Sequence, residues 1–218
     1  MKAESKQIQL PDIFRSGLSL GEKVCIVAPG PNGKDHYHEI PQDFSIIVVN
    51  KGVLIEELNP NWWVISHTNT DWFQIADKQY TGIRVYNDCN AQSLGNAALV
   101  NSKDKIYTYS AEDEPLTENK VLPVKGCIRF GASVSAMAIQ IAYNCGAAEI
   151  LLCGVDMSGN SYWDKTENDE VEVQDLHGVV WDSVKRLNPL LKHMRNELNV
   201  NICTLSKTQL DLPFYLKK

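Results

Sequence analysis

The 218-residue sequence predicts an α/β protein with a single doubly wound, mainly parallel sheet and helices on both of its faces. Short apolar runs recur along the chain, most of them are continuous rather than alternating, and segments with helical spacing lie between them. Continuous apolar runs are typical of strands that are covered on both faces. Alternation of such strands with helices is typical of a parallel sheet.

Seven apolar runs are the predicted strands. They are KVCIVA (23–28), SIIVV (45–49), WWVIS (62–66), GIRVY (82–86), KIYTY (105–109), EILLC (149–153) and NICTL (201–205). We expect these strands to form one Rossmann-like domain over residues 1–218, in which residues 1–20 are an N-terminal extension.

Two segments have the apolar spacing of helices. Residues 133–145 are followed by Gly146, which is a favourable C-terminal cap. Residues 181–198 are amphipathic, with basic side chains toward the C-terminal end, and Pro189 predicts a kink in this helix. Residues 111–125 and 164–176 show no periodicity and are predicted to be long loops. The acidic loop 164–176 is a candidate lid, with a solvated surface loop as the alternative.

Composition and charge narrow the class of protein. Apolar residues make up 44% and charged residues 22%, as in ordinary globular proteins. A net charge of −6 argues against a nucleic-acid partner, because phosphate backbones demand basic patches. The N-terminal residues lack the apolar core of a signal peptide, and no apolar run approaches the roughly 20 residues that cross a bilayer. We therefore expect a cytoplasmic protein without a transmembrane segment.

The six cysteines are expected to be reduced. No two of them have CxxC spacing, and Cys25, Cys153 and Cys203 lie inside apolar runs. A free thiol in such a run behaves as a small apolar group. Reduced thiols agree with a cytoplasmic location.

Ligands of open α/β sheets bind beyond the carboxyl ends of the strands, so the residues that follow each run are the candidates for a site. The first strand is followed by APGPNGKD (28–35). Gly30 and Gly33 let backbone approach a ligand closely, and Pro31 stiffens the turn. The loop is neither a Walker A loop nor a GxGxxG fingerprint, and a plain tight turn is the alternative.

The second and third strands end in further polar residues. Asn50 follows SIIVV, where its amide could bond to a base or ribose edge or cap the following helix. His67 follows WWVIS and is a second candidate ligand contact, with an ordinary polar residue at a strand end as the alternative.

The start of the predicted helix 133–145 is a candidate anion site. Gly131 and Ser133 leave backbone N–H groups open, and the Ser133 hydroxyl is at hand. Arg129, just upstream, is a candidate partner for phosphate or carboxylate. The alternative is that Ser133 only caps the helix.

The strand EILLC is followed by a turn and a polar, aromatic loop. Gly154 lets the chain turn, and Asp156 leaves at the carboxyl end of the strand. Tyr162 and Trp163 follow on the loop, where exposed aromatic rings are disfavoured unless they cover a ligand. The alternative is that both rings fold back onto the core.

The motif GASVSAMAIQIAYNCGAAEILLCGVDMSGNSYWD (131–164) resembles family 42 sialyltransferases and related bacterial proteins grouped with motility-accessory and 6-hydroxymethylpterin pyrophosphokinase-like domains. Shorter matches are APGPN, which is similar to the family's glycine-rich first loop, and FSIIVVNKG, which is similar to its second strand ending in Asn. The resemblance spans residues 23–210. It implies a nucleotide-binding Rossmann-like domain and a metal-independent transferase that uses a CMP-sugar.

The resemblance also implies roles for particular residues. Gly30, Pro31 and Asn32 would lie near the nucleotide, and Asn50 would contact its ribose or base. Ser133 would contact the nucleotide as well.

The resemblance implies that two further residues, Tyr162 and His177, carry out the transfer reaction. Tyr162 would hold the phosphate, and His177 would be the general base. The family's second Tyr is replaced here by Met157 or Ser158, and His177 lies earlier than the family spacing.

Three functions remain open from the sequence. The first is a nucleotide-sugar-dependent glycosyltransferase, whose partners are a small nucleotide or nucleotide sugar and a glycan or other hydroxyl acceptor. The second is an ATP-dependent pyrophosphokinase of the pterin type, and the third is a nucleotide-binding protein without catalysis. No cofactor beyond the co-substrate is expected. The sugar, the acceptor and the oligomeric state, a homo-oligomer included, stay open.

No metal is expected either. No Asp-x-Asp motif follows a strand, and the pair His36 and His38 has no further ligands nearby in the sequence for zinc.

Overall fold

The computed structural model describes residues 10–66, 71–87, 105–109, 111–115, 128–130, 133–157 and 184–216. The strands are β1 (Lys23–Val27), β2 (Ser45–Val49), β3 (Trp62–Ile65), β4 (Ile83–Asn87), β5 (Ile106–Tyr109), β6 (Ala111–Pro115), β7 (Ile128–Phe130), β8 (Glu149–Cys153) and β9 (Asn201–Thr204). The helices are α1 (Asp71–Gln79), α2 (Val134–Asn144) and α3 (184–196), with 3₁₀ segments at Ile13–Arg15, Pro31–Glu39 and Asn50–Leu54.

The predicted α/β fold is confirmed. Seven strands form one sheet in the order β5-β4-β3-β2-β1-β8-β9, and every neighbouring pair is parallel. Each of the seven predicted apolar runs supplies one of these strands. The predicted helices correspond to α2 and α3, and Pro189 lies inside α3 without interrupting its helical residues.

Each face of the sheet carries its own buried cluster. Along β1, Val24 and Ile26 face one cluster, which α2 and α3 cover, and Cys25 and Val27 face the other, which α1 covers. Successive side chains of a strand point to opposite faces, so a strand buried on both faces needs an apolar residue at every position. This requirement explains the unbroken apolar runs of the sequence.

The prediction of a loop over residues 111–125 is wrong for its first five residues. Residues Ala111–Pro115 form strand β6, which pairs with β7 in a separate two-stranded parallel sheet. The sequence AEDEP has low strand propensity, and pairing with β7 overrides that local preference. Arg129 lies within β7, and the rest of the predicted loop and the lid 164–176 lie outside the described residues.

Segments near both ends of the described chain continue the sheet edges. Asp12 forms a parallel bridge with Thr108 of β5, and Ile13 is buried in the core. At the other edge, Phe214 forms a parallel bridge with Thr204 of β9. These additions pair part of the otherwise open hydrogen-bonding edges. Among the described helices, none is both long and apolar enough to cross a membrane.

Candidate functional site

The strand order places a topological switch point between β1 and β8. Strands β2 to β5 follow β1 on one side, whereas β8 and β9 lie on the other. Val27 and Cys153, the last residues of β1 and β8, are register partners, so the loops that follow these strands begin side by side. This is the position at which open α/β sheets bind ligands.

Glycines allow the two loops at the switch point to touch. The backbone N–H of Gly30 donates to the carbonyl oxygen of Gly154 over 3.0 Å. A Cβ atom on Gly30 would lie 2.7 Å from the Asp156 carboxyl carbon, and one on Gly33 would lie 2.6 Å from the Gly154 Cα. Gly154 has a φ of +69°, and a Cβ there would collide with the Ala28 carbonyl oxygen. In this structure the glycines permit close packing of the two loops, and their contact with a ligand stays a prediction.

Asp156 is a buried carboxylate with unequal oxygens. Its side chain is 4% exposed, and Oδ2 accepts a 2.7 Å hydrogen bond from the backbone N–H of Asn32. Oδ1 is buried and has no hydrogen-bond partner within the described part of the chain. Burial raises the pKa of Asp156 to about 6, while hydrogen bonds from Asn32 and Ser206 act in the opposite direction. Asp156 can therefore accept a further hydrogen bond or hold a proton near neutral pH.

Asn50 ties the ends of β2 and β3 together. Its Oδ1 accepts the backbone N–H of Ser66 at 2.9 Å, and its Nδ2 lies 3.1 Å from the Ser66 hydroxyl. Trp63 Nε1 donates to the Asn50 carbonyl oxygen at 2.8 Å. The side chain does not cap the 3₁₀ segment that follows β2, so the capping alternative is wrong. A ligand contact by Asn50 stays a prediction.

Ser133 caps helix α2, which was the alternative to a ligand contact in the sequence analysis. Its Oγ accepts a 3.2 Å hydrogen bond from the Ala136 N–H. Because α2 runs back along the sheet to enter parallel strand β8, its N-terminus faces the edge where the strands end. A hydroxyl that accepts a hydrogen bond keeps its own proton for another partner. Capping therefore leaves the predicted ligand contact chemically open.

The structure brings some predicted site residues together and leaves others outside the described chain. Gly30, Pro31, Asn32, Gly154 and Asp156 lie at the switch point, and Asn50 and Ser133 lie at the same edge of the sheet. Outside the described residues are His67, Gly131, Tyr162 and His177. Their roles stay predictions, and so does that of Arg129.

The sequence interpretation missed the residues after β9. Ser206 Oγ accepts the Gly154 N–H at 2.9 Å, and Thr208 Oγ1 donates to the Val155 carbonyl oxygen at 2.6 Å. These residues follow NICTL, so the rule applied to the other strand ends also finds them. A second missed group is the Tyr37 hydroxyl, which is buried without a hydrogen-bond partner among described residues. Burial raises the pKa of Tyr37 well above its usual value.

The described side chains include no group of three or more His, Cys, Asp or Glu that could hold a metal ion. His36 Nδ1 lies 3.2 Å from Glu39 Oε2, and His38 is exposed. This histidine pair therefore has a carboxylate neighbour but no assembled ligand set around it.

Comparison with known proteins identifies the fold. No protein-family profile and no curated protein sequence matches the chain. The structure is similar to that of the sialyltransferase CstII from Campylobacter jejuni in complex with the substrate analogue CMP-3FNeuAc. The identity is 14% and the TM-score 0.50, over 90% of this chain and 89% of that chain.

A second structure of CstII from Campylobacter jejuni, in complex with cytidine-5'-monophosphate, is 16% identical. Its TM-score is 0.51, over 87% of this chain and 82% of that chain. The chain therefore has an α/β fold like that of these sialyltransferases, which confirms the predicted resemblance at the level of fold. The likeness to pyrophosphokinases is not confirmed.

Proposed function

We propose that the protein is a nucleotide-sugar-dependent glycosyltransferase that uses a CMP-linked sugar and transfers it to a glycan or other hydroxyl acceptor. The observation that carries the proposal is the contact of Gly30, Gly154 and Asp156 at the switch point of the sheet. Its support is the shared fold with a sialyltransferase whose structure contains CMP. The proposal includes no metal, because the family that the sequence resembles is metal-independent.

The nucleoside end of the donor is proposed to lie at the switch point. Asp156 repels phosphate when it is ionised, but its Oδ1 can accept a hydrogen bond from a hydroxyl or amino group. Asn50 has two amide protons, and the bond to Ser66 uses only one of them. We place Asn32 and Pro31 beside this nucleoside, together with His67, which lies outside the described residues.

The phosphate end is proposed to lie at the start of α2. Exposed backbone N–H groups at a helix N-terminus favour negative charge, and Ser133 can add a hydroxyl donor. Gly131 has no side chain that would block the phosphate from the backbone N–H groups, and Arg129 would pair with the phosphate. This arrangement separates the phosphate from the Asp156 carboxylate.

The transfer step needs a hydrogen-bond donor that stabilises the negative charge of the departing phosphate, and a base for the acceptor hydroxyl. The bond between the anomeric carbon and the phosphate oxygen breaks, and its electron pair passes to the departing CMP. The acceptor oxygen bonds to that carbon, and its proton passes to a base. Tyr162 would donate a hydrogen bond to the departing phosphate, and His177 would accept the proton, because an imidazole is the side chain best suited to proton transfer near neutral pH.

A thermal-shift panel with CMP, CDP, UDP, GDP and ATP plus magnesium tests the proposal. A ligand that binds only the folded state stabilises it by about 2.7 kcal/mol at one hundred times its Kd. We expect CMP to raise the melting temperature, and CMP-sialic acid to be hydrolysed or transferred equally well with EDTA. If ATP with magnesium is the only ligand of the panel that stabilises the protein, the result would support the pyrophosphokinase alternative. If none of the five nucleotides raises the melting temperature, the result would contradict the proposal.

A further inference from the structure

We propose that residues 206–209, the segment that follows β9, position both loops of the candidate nucleotide site. Ser206 and Thr208 are then positioning residues for nucleotide binding. They act through hydrogen bonds to the backbone of the 154–157 loop, which Asn32 joins to the 28–33 loop, rather than by touching the ligand. The inference rests on the proposed function only in taking a nucleotide as the ligand.

The segment is fixed to the sheet at its first residue. Ser206 is completely buried, and Thr204 Oγ1 of β9 donates to its carbonyl oxygen at 2.7 Å. The Ser206 hydroxyl in turn accepts the Gly154 N–H at 2.9 Å. Gly154 is the residue whose left-handed backbone lets the chain turn out of β8. Ser206 therefore links the end of β9 to the turn that begins the candidate site.

Thr208 and Gln209 hold the next two residues of that turn. Thr208 Oγ1 donates to the Val155 carbonyl oxygen at 2.6 Å, and the Gln209 N–H donates to the Asp156 carbonyl oxygen at 3.0 Å. Leu210, which is buried in the core, anchors the segment from the other side. Its N–H also donates to Thr208 Oγ1 at 3.2 Å. Hydrogen bonds from 206–209 thus reach the backbone of three successive residues of the 154–157 turn.

The segment reaches the first loop through Asn32. The Asn32 side chain donates from Nδ2 to the Lys207 carbonyl oxygen at 3.1 Å. The backbone N–H of the same residue donates to Asp156 Oδ2 at 2.7 Å. Loops 28–33 and 154–157 and segment 206–209 therefore form one hydrogen-bonded unit. A shift of 206–209 moves the groups proposed to contact the nucleoside.

A purely structural role makes a different prediction. If 206–209 only stabilises the fold, a lost hydroxyl lowers the melting temperature but leaves nucleotide affinity unchanged well below melting. If the segment positions the loops, affinity falls while the protein is fully folded. Thr208→Val removes the hydroxyl at nearly constant shape, and Thr208→Ser retains it. Ser45→Ala is a matched control, because Ser45 Oγ donates a 2.6 Å bond to the Leu20 carbonyl oxygen near the opposite end of the strands.

The experiment is titration calorimetry with CMP far below the melting temperature, together with hydrogen–deuterium exchange of the backbone amides. Loss of one net hydrogen bond corresponds to about a five- to ten-fold change in an equilibrium. We expect the Kd of Thr208→Val to rise by about that factor, and those of Thr208→Ser and Ser45→Ala to stay near wild type. Amides of Asn32 and Gly154 should exchange faster in Thr208→Val alone. If Thr208→Val does not fold, Ser206→Ala replaces it, with the CMP affinity and the Asn32 amide as the readouts, because this substitution removes the acceptor of the Gly154 N–H directly.

The outcomes separate this inference from the proposed function. If wild type binds CMP and Thr208→Val binds it equally well, the positioning role is refuted and the proposed function stands. If wild type binds none of the nucleotides, the proposed function fails. The exchange measurement then decides whether segment 206–209 is coupled to the two loops. Faster exchange at Asn32 and Gly154 in Thr208→Val, absent in Ser45→Ala, then supports the coupling. Unchanged exchange overturns it.

Discussion

Replacement of Asp156 by Asn should stabilise the protein at alkaline pH. Burial raises the pKa of Asp156 from 3.8 to about 6, so the folded protein binds this proton more tightly than the unfolded chain does. The stabilising effect of protonation is complete below about pH 4 and is lost as pH rises through 6. The difference between the two pKa values corresponds to about 3 kcal/mol at pH 8.

Part of that energy is offset in the variant. The Asn carbonyl oxygen can still accept the Asn32 N–H, but its amide group then replaces Oδ1, the oxygen without a described partner. An unsatisfied buried donor costs about 1–3 kcal/mol. The expected net gain for Asp156→Asn is therefore about 1 kcal/mol at pH 8, or about 2–4 °C in melting temperature for a chain of this length.

Thermal unfolding of wild type and Asp156→Asn from pH 4 to pH 8 measures the effect. The melting temperatures should diverge in favour of the variant as pH rises through 6. Asp43→Asn is the control with the opposite sign: the hydrogen bond from exposed Lys23 lowers the pKa of Asp43 below 3.8, so this variant should be less stable than wild type by a nearly constant amount from pH 4 to pH 8. An Asp156→Asn variant that is less stable by the same amount at every pH would refute the reasoning, since it would show that the buried carboxylate carries no ionisation cost.

Three further substitutions test the site and the fold. Tyr162→Phe should lower donor turnover by about ten- to a thousand-fold through loss of a phosphate donor, whereas Tyr143→Phe on α2 should not. His177→Ala should lower transfer by about a hundred-fold or more and remove the acidic limb of the pH–rate profile. Full turnover in both variants would end the glycosyltransferase assignment. Arg84→Ala should cost about 2–3 kcal/mol in urea unfolding, because the buried guanidinium bonds to the Asp77 carboxylate and two carbonyl oxygens near the end of α1. A loss below about 1 kcal/mol would contradict that role.

The sheet could be predicted because its strands are buried on both faces. Val24, Cys25, Ile26 and Val27 leave no polar position along β1 after its first residue, Lys23, and this pattern separates a central strand from a surface one. Once the strands and their parallel direction are known, the edge that carries the site follows from topology. The position of the candidate site therefore came from general rules rather than from a motif.

The parts that were missed depend on pairing between distant residues. Nothing in AEDEP indicates a strand, because β6 exists only through its pairing with β7. The roles of Ser206 and Thr208 depend on backbone groups, the Gly154 N–H and the Val155 carbonyl, which every sequence possesses. A sequence shows where such groups occur along the chain but not which side chain faces them.

The roles of residues at the predicted edge were also only partly visible. The sequence predicts close approach of a ligand at Gly30; the structure shows close approach of Gly154 and Asp156 there, and the ligand contact stays a prediction. The sequence predicts a ligand contact or a helix cap at Asn50; the structure shows its amide joining two strand ends through Ser66, and the ligand contact stays a prediction. In both cases the residue type indicates a close contact correctly, and the partner comes from the three-dimensional arrangement.

The span of the Asn32 contacts has a consequence for biosynthesis. Asn32 bonds to Asp156, 124 positions later, and to Lys207, 175 positions later. A nascent polypeptide on the ribosome can thus pair β1 with β2 while its first loop still lacks both anchors. Such long-range closure slows folding. A chaperone that shields β1 during elongation would act on the strand edge with which β8 later pairs, and the proposed nucleotide site would stay incomplete until residue 209 has been added.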